Sequence, residues 1–167
     1  KAQLPESYDI QHIAWSKDGN SAEAFMLWTL PPMKEIQRPA KARMEVRIPF
    51  KKEKGAWKLD TIYPVADPDQ IKRPKDTAYN EKDADTNVTS ASVAGRIVKL
   101  DFRPDHTLVL LRVMDEEIAV FLPVKKVLQD AGVNFDVFAP WKMREFTGFP
   151  HKTDKLKFFA TGDNPME

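Results

Sequence analysis

Along much of this chain apolar and polar residues alternate, the mark of strands with one buried and one wet face. The clearest case is residues 42–50, where Met44, Val46, Ile48 and Phe50 fall on one side and Arg43, Glu45 and Arg47 on the other. Before it, residues 9–15 and 24–30 flank Ser16-Lys17-Asp18-Gly19-Asn20, a run rich in residues that tolerate positive φ, which predicts a β-hairpin. After it, a turn over residues 51–55 leads into residues 56–63, whose Trp57, Leu59, Thr61 and Tyr63 share a face and predict one further strand.

The second half carries a more ordered series. Residues 93–102, 107–114 and 118–122 predict three strands in succession, with Gly95 marking a bend or bulge in the first. Pro123 sits where a short helix begins; Val124, Val127, Leu128 and Ala131 mark one of its faces and Gly132 its end. Residues 135–141 and 156–160 supply two last strands. Between the halves, residues 67–87 hold six acids and four bases with almost no apolar periodicity, the composition of a surface connector. The expected fold is mainly β, all-β or α+β: an antiparallel sheet unit over residues 1–66, a polar connector over 67–87 and a β-barrel with one short helix over 88–167.

Composition narrows the function. Thirteen prolines against six glycines favour short elements and firmly placed turns. The 26 Lys+Arg nearly cancel the 25 Asp+Glu, so no global basic field drives nucleic-acid binding and any such site is a local patch. The absence of cysteine removes disulfides, thiol catalysis and cysteine-ligated metals. No apolar window is long enough to span a membrane as a helix. The chain starts at Lys1 rather than Met, which suits a processed or a shortened chain and tilts the expected location toward the periplasm or outside the cell, without fixing it.

Two stretches resemble known families. The segment Gly55-Ala56-Trp57-Lys58-Leu59-Asp60-Thr61-Ile62-Tyr63-Pro64 resembles the closing strands of NTF2-like α+β domains, within a resemblance covering residues 8–64. That family's long N-terminal helices have no counterpart here, and the resemblance implies a scaffold used by enzymes, transport factors and envelope-assembly proteins alike. The order strand, strand, strand, helix, strand, strand over residues 88–162, with Ala94-Gly95-Arg96-Ile97-Val98 and Asp115-Glu116-Glu117-Ile118-Ala119-Val120-Phe121-Leu122, resembles an OB-fold barrel. An SH3-like barrel or an irregular sandwich fits much the same alternation.

Catalytic motifs are not found. His12, His106 and His151 are widely separated and form no metal-ligand spacing, so no metal site and no cofactor is expected. The five serines show no nucleophile elbow, and the acid pairs Asp67/Asp69, Asp83/Asp85 and Glu116/Glu117 lack the glycine and final glutamate of a calcium loop. One segment invites a sharper reading. From Trp141 to Phe159, five cations, Lys142, Arg144, Lys152, Lys155 and Lys157, interleave with aromatics including Phe149 against only Glu145 and Asp154. In an OB-fold the loop between the fourth and fifth strands lines the ligand groove, so Trp141 and Phe149 would stack on bases while these cations follow phosphates. The commoner fate of such aromatics is burial, with the lysines as their solvated neighbours. Arg43 and Arg47, on the polar face of their strand, are candidate partner contacts.

Two functions therefore compete. One is a non-catalytic protein-interaction or structural component, for instance in a bacterial cell envelope, that binds a protein partner or forms a homo-oligomer. The other is single-stranded nucleic-acid binding through the OB-like half, against which stands that half's exact balance of 11 bases and 11 acids over residues 88–167.

Overall fold

The structure, a computed structural model, describes residues 4–165. It is mainly β, as the alternation predicts, and falls into two compact units, Lys1–Ile71 and Lys72–Glu167.

In the first unit, β1 (Ser7–Trp15), β2 (Ser21–Leu30), β3 (Ala42–Glu53), β4 (Ala56–Leu59) and β5 (Tyr63–Ala66) make one antiparallel sheet. The order is β1-β2-β3-β4, with β5 also on β3. The expected single strand over residues 56–63 is thus two. The break follows from Pro49 in β3: its carbonyl accepts the Asp60 N–H at 3.1 Å, but it has no N–H to return, and the ladder stops there. Residues 60–62 leave the strand, and Ile62 packs against the core of Trp28, Leu30, Val46 and Ile48.

β1 needs a device that its sequence announces. Tyr8 and Ile10 are even-numbered, Ile13 and Trp15 odd, so a regular strand would point the two pairs to opposite faces. The register jumps from Ile10↔Met26 to His12↔Phe25, leaving Gln11 as the extra residue of a β-bulge. All four apolar side chains therefore share the face of Met26 and Ala24.

In the second unit, β6 (Ala91–Phe102), β7 (Thr107–Val113), β8 (Glu116–Leu122), β9 (Met143–Pro150) and β10 (Lys157–Pro165) close a barrel in the order β10-β8-β7-β6-β9. Every pair is antiparallel except β8 with β10. A short helix, α1 (Lys125–Asp130), lies between β8 and β9. Its Leu128 joins Ile97, Val109, Leu111, Val120, Phe146 and Phe158 in the barrel core, whereas Val127, assigned to the same helix face, is exposed.

Three expectations are corrected here. Residues 135–141 are not a strand: Asn134 accepts the Asp136 N–H at 3.0 Å and caps a 3-10 turn over Phe135–Phe138, which drops Phe138 wholly into the core. The fourth barrel strand is instead β9, within the segment expected to be a loop. Its inward positions are Arg144, Phe146 and Gly148, so a cation and a glycine interrupt the apolar alternation that would have revealed it. Gly95 is not the bulge in β6; the register slips at Val98, between Ile97 and Lys99. At Gly95 the backbone of β7 comes so close that a Cβ would overlap the Arg112 carbonyl oxygen.

β7 and β8 are apolar on both faces, which explains why they read as near-continuous runs. Val109, Leu111, Ile118 and Val120 point into the barrel, and Leu108, Ala119 and Phe121 point out, where Phe159 of β10 joins them. The outward set is covered by residues 72–87, which run along the barrel as a strap: Lys72 bridges to Glu116, Ala84 bridges to His151, and Tyr79 packs on Phe121 and Phe159.

Gly95→Ala is expected to destabilise the barrel by about 1–3 kcal/mol, the usual cost of overpacking a fixed backbone contact. Chemical denaturation checks it; an unchanged midpoint would show that β6 and β7 can part there freely.

Candidate functional site

Two surfaces present chemistry. The first is the free side of β1. Among the described residues this strand pairs with β2 alone, so its other edge carries backbone groups that no described strand pairs. The Ser16 N–H bonds to the Ser21 carbonyl at 2.9 Å, and alternation from there turns the main-chain groups of Trp15 and Ile13 outward. Across the bulge, the register Asp9↔Leu27 does the same for Tyr8 and Ile10. These four residues also keep much of their side-chain surface in water: Tyr8 63%, Ile10 51%, Ile13 38% and Trp15 63%. Trp15 meets Trp57 edge-on at 5.7 Å, and Trp57 and Leu59 extend the exposed apolar surface. The sheet centre is buried by contrast, with Val46 and Ile48 nearly inaccessible.

The opposite face mixes Phe25 and Leu27 with charged side chains that have partners within the unit. Arg43 bonds Asp69 at 2.6 Å, and the bond holds the Asp69 carboxyl below its ordinary pKa. Arg47 reaches both oxygens of Glu23 at 3.3 Å and lies over the Tyr63 ring at 4.8 Å. Both arginines, proposed from sequence as partner contacts, are thus engaged within their own unit, Arg47 across the sheet and Arg43 with the turn after β5.

The second surface is a cleft of about 550 Å³ in the barrel unit, between the strap and the turn joining β9 to β10. Arg73, Lys75, Lys155 and Lys157 line it with Asp76 and Asp154. The turn is built on His151: its Nδ1 accepts the N–H groups of Thr153 and Asp154 at 3.1 and 2.9 Å, and its ring stacks on Phe159. Lys157 is only 7% exposed, and its ammonium is held by Asp76 at 2.5 Å. That bond, helped by the Ala78 N–H, lowers the Asp76 pKa. Nearby, His106 Nδ1 faces the Asp105 carboxylate at 2.6 Å, so it carries the hydrogen, and Tyr79 stacks on the buried imidazole at 4.4 Å.

The seven residues singled out in the 141–159 segment do not meet at one place. Lys155 and Lys157 line the cleft, and Lys152 lies in the same turn, its N–H bonded to the Asp83 carbonyl at 2.8 Å. Trp141 and Lys142 lie beyond the other end of β9, a strand roughly 24 Å long. There the Trp141 N–H donates to Ile97, and the Arg96 guanidinium covers its ring at 3.9 Å. Arg144 is buried with its guanidinium 5.6 Å from the Phe138 ring centre, and Phe149 is half-buried in β9. Sequence reasoning missed Arg73 and Lys75, which the cationic run Lys72-Arg73-Pro74-Lys75 in the connector could have signalled, and it missed the free edge of β1. No protein-family model, curated protein or solved structure matches the chain.

A carboxylate whose folded pKa lies below its unfolded value stabilises the fold above the unfolded pKa and loses that contribution as pH falls through the folded one. Asp76 therefore favours the native state at neutral pH and loses that contribution progressively as pH falls from its ordinary value of 3.8 through its lowered folded one. Its carboxyl should titrate below that value by NMR and move back up in Lys157→Met. The urea midpoint of Asp76→Asn should fall less steeply between pH 5 and strong acid than that of the wild type.

Proposed function

We propose that this chain is a non-catalytic assembly component that binds a protein partner by strand addition at β1, with its second unit an OB-type barrel serving as scaffold. The observation that carries the reading is the free edge of β1, where unpaired backbone groups and four exposed apolar side chains coincide on one strand. Natural sheets blunt such edges with charges or proline, because an uncovered one is a template for another strand. Between Ser7 and Trp15 there is one charged residue, Asp9, and no proline.

The OB reading of the barrel is supported by its connectivity. Taken as strands one to five, β6 to β10 follow the order one, two, three, five, four, with the third and fifth parallel and the helix between the third and fourth. The NTF2-like resemblance of residues 8–64 adds nothing to this reading. Structural roles for two acids and one histidine support a non-catalytic reading: Asp69 pairs Arg43, Asp76 pairs Lys157, and His151 caps its own turn.

Nucleic-acid binding fits less well. Barrels of this type bind oligonucleotides on the outer face of strands two and three, here β7 and β8. That face lies under the strap, with Tyr79 stacked on His106 and packed on Phe121. Phe146, Phe158 and Phe159 are buried, and the Trp141 ring is covered by Arg96.

A photo-crosslinking residue at Tyr8 should give protein adducts in cells, whereas one at exposed Lys126 should not. An equal absence at both positions rejects the reading. Salt-sensitive, micromolar binding of a single-stranded oligonucleotide would favour the alternative.

A further inference from the structure

Resting on that reading, we propose that the strand added to β1 is β1 of a second copy, giving a two-fold dimer in which the two five-stranded sheets join into one. The basis is an internal symmetry of the edge. From Glu6 to Lys17 the sequence ESYDIQHIAWSK is close to palindromic in chemistry about a point between Gln11 and His12. Laid antiparallel on a second copy about that point, Ile10 faces Ile13, Tyr8 faces Trp15, Ser7 faces Ser16, and Glu6 faces Lys17. Each pair occurs twice, as an isologous interface requires.

In a regular strand this pairing would fail, since residues related by the axis would point to opposite faces. The Gln11 bulge removes the obstacle. It places Tyr8 and Ile10 on the same face as Ile13 and Trp15, and it turns the main-chain groups of all four to the open edge. Ile10 with Ile13 and Tyr8 with Trp15 thereby become hydrogen-bonded cross-strand pairs, of the aliphatic and aromatic kinds that stabilise sheets. The ends are complementary in charge: exposed Glu6 of each copy meets exposed Lys17 of the other. Asp9 faces Ala14, so the strand's one acid never opposes itself.

The absence of cysteine makes the register directly testable. Sedimentation of the full chain should show a dimer. Ile10→Cys/Ile13→Cys should form an intermolecular disulfide on mild oxidation, giving a band at twice the monomer mass, whereas Ile10→Cys alone, or Ile10→Cys/Ala14→Cys, should not. Glu6→Lys, which sets like charges together twice, should raise the dimer Kd roughly tenfold, and adding Lys17→Glu should restore it. A chain monomeric at 100 μM overturns the proposal, as does a dimer that fails the disulfide register or ignores Glu6→Lys. Adducts of Tyr8 with a different protein, from a monomeric chain, would sink the dimer while leaving strand addition at β1 in place.

Discussion

A strand shows successive side chains to opposite faces, so an apolar pattern that changes parity part-way must either gain a residue or surrender half of its apolar set to the wrong side. Both units of this protein rest on that constraint. In β1 the added residue is Gln11, and the result is an edge with all its large apolar side chains on one face. In β6 it is Val98, which lets Ile97 and Leu100 both serve the barrel core although their numbers differ by three. The same local device thus does two jobs, assembling an exposed apolar row in one unit and keeping a core sealed in the other.

Much of this was legible in the chain. The alternation of Met44, Val46, Ile48 and Phe50 announced β3, and the paired apolar runs around residues 107–122 announced β7 and β8. What escaped notice escaped for physical reasons. β9 hides because Arg144 and Gly148 occupy inward positions, the first with its guanidinium near the Phe138 ring, the second where Phe159 and Ala160 leave no room for a Cβ. The 3-10 turn over residues 135–138 looked like a strand because a tight turn and a strand bury equally apolar residues. No period reports that a strand is an edge, so the sequence pattern could show that Tyr8, Ile10, Ile13 and Trp15 are apolar but not that they keep so much of their surface in water.

The segment singled out for its interleaved cations and aromatics shows how composition and geometry diverge. Five cations in nineteen residues suggest a site, yet a strand of eight residues carries them to opposite ends of a barrel. The distal group, gathered at the turn built on His151, meets cations and an acid of the connector, whereas Trp141 lies under Arg96 and Arg144 near the Phe138 ring.

The connector also makes the barrel dependent on what precedes it. Its Tyr79 and Ala84 cover Leu108, Phe121 and Phe159, side chains that belong to the outside of the cylinder. A fragment cut at residue 88, where composition invites the cut, would bare an aromatic flank and the imidazole of His106 to solvent, and would clump for want of sixteen polar-looking residues. Excising a domain from this protein therefore means starting before its first strand, at the charged stretch that resembles a dispensable linker.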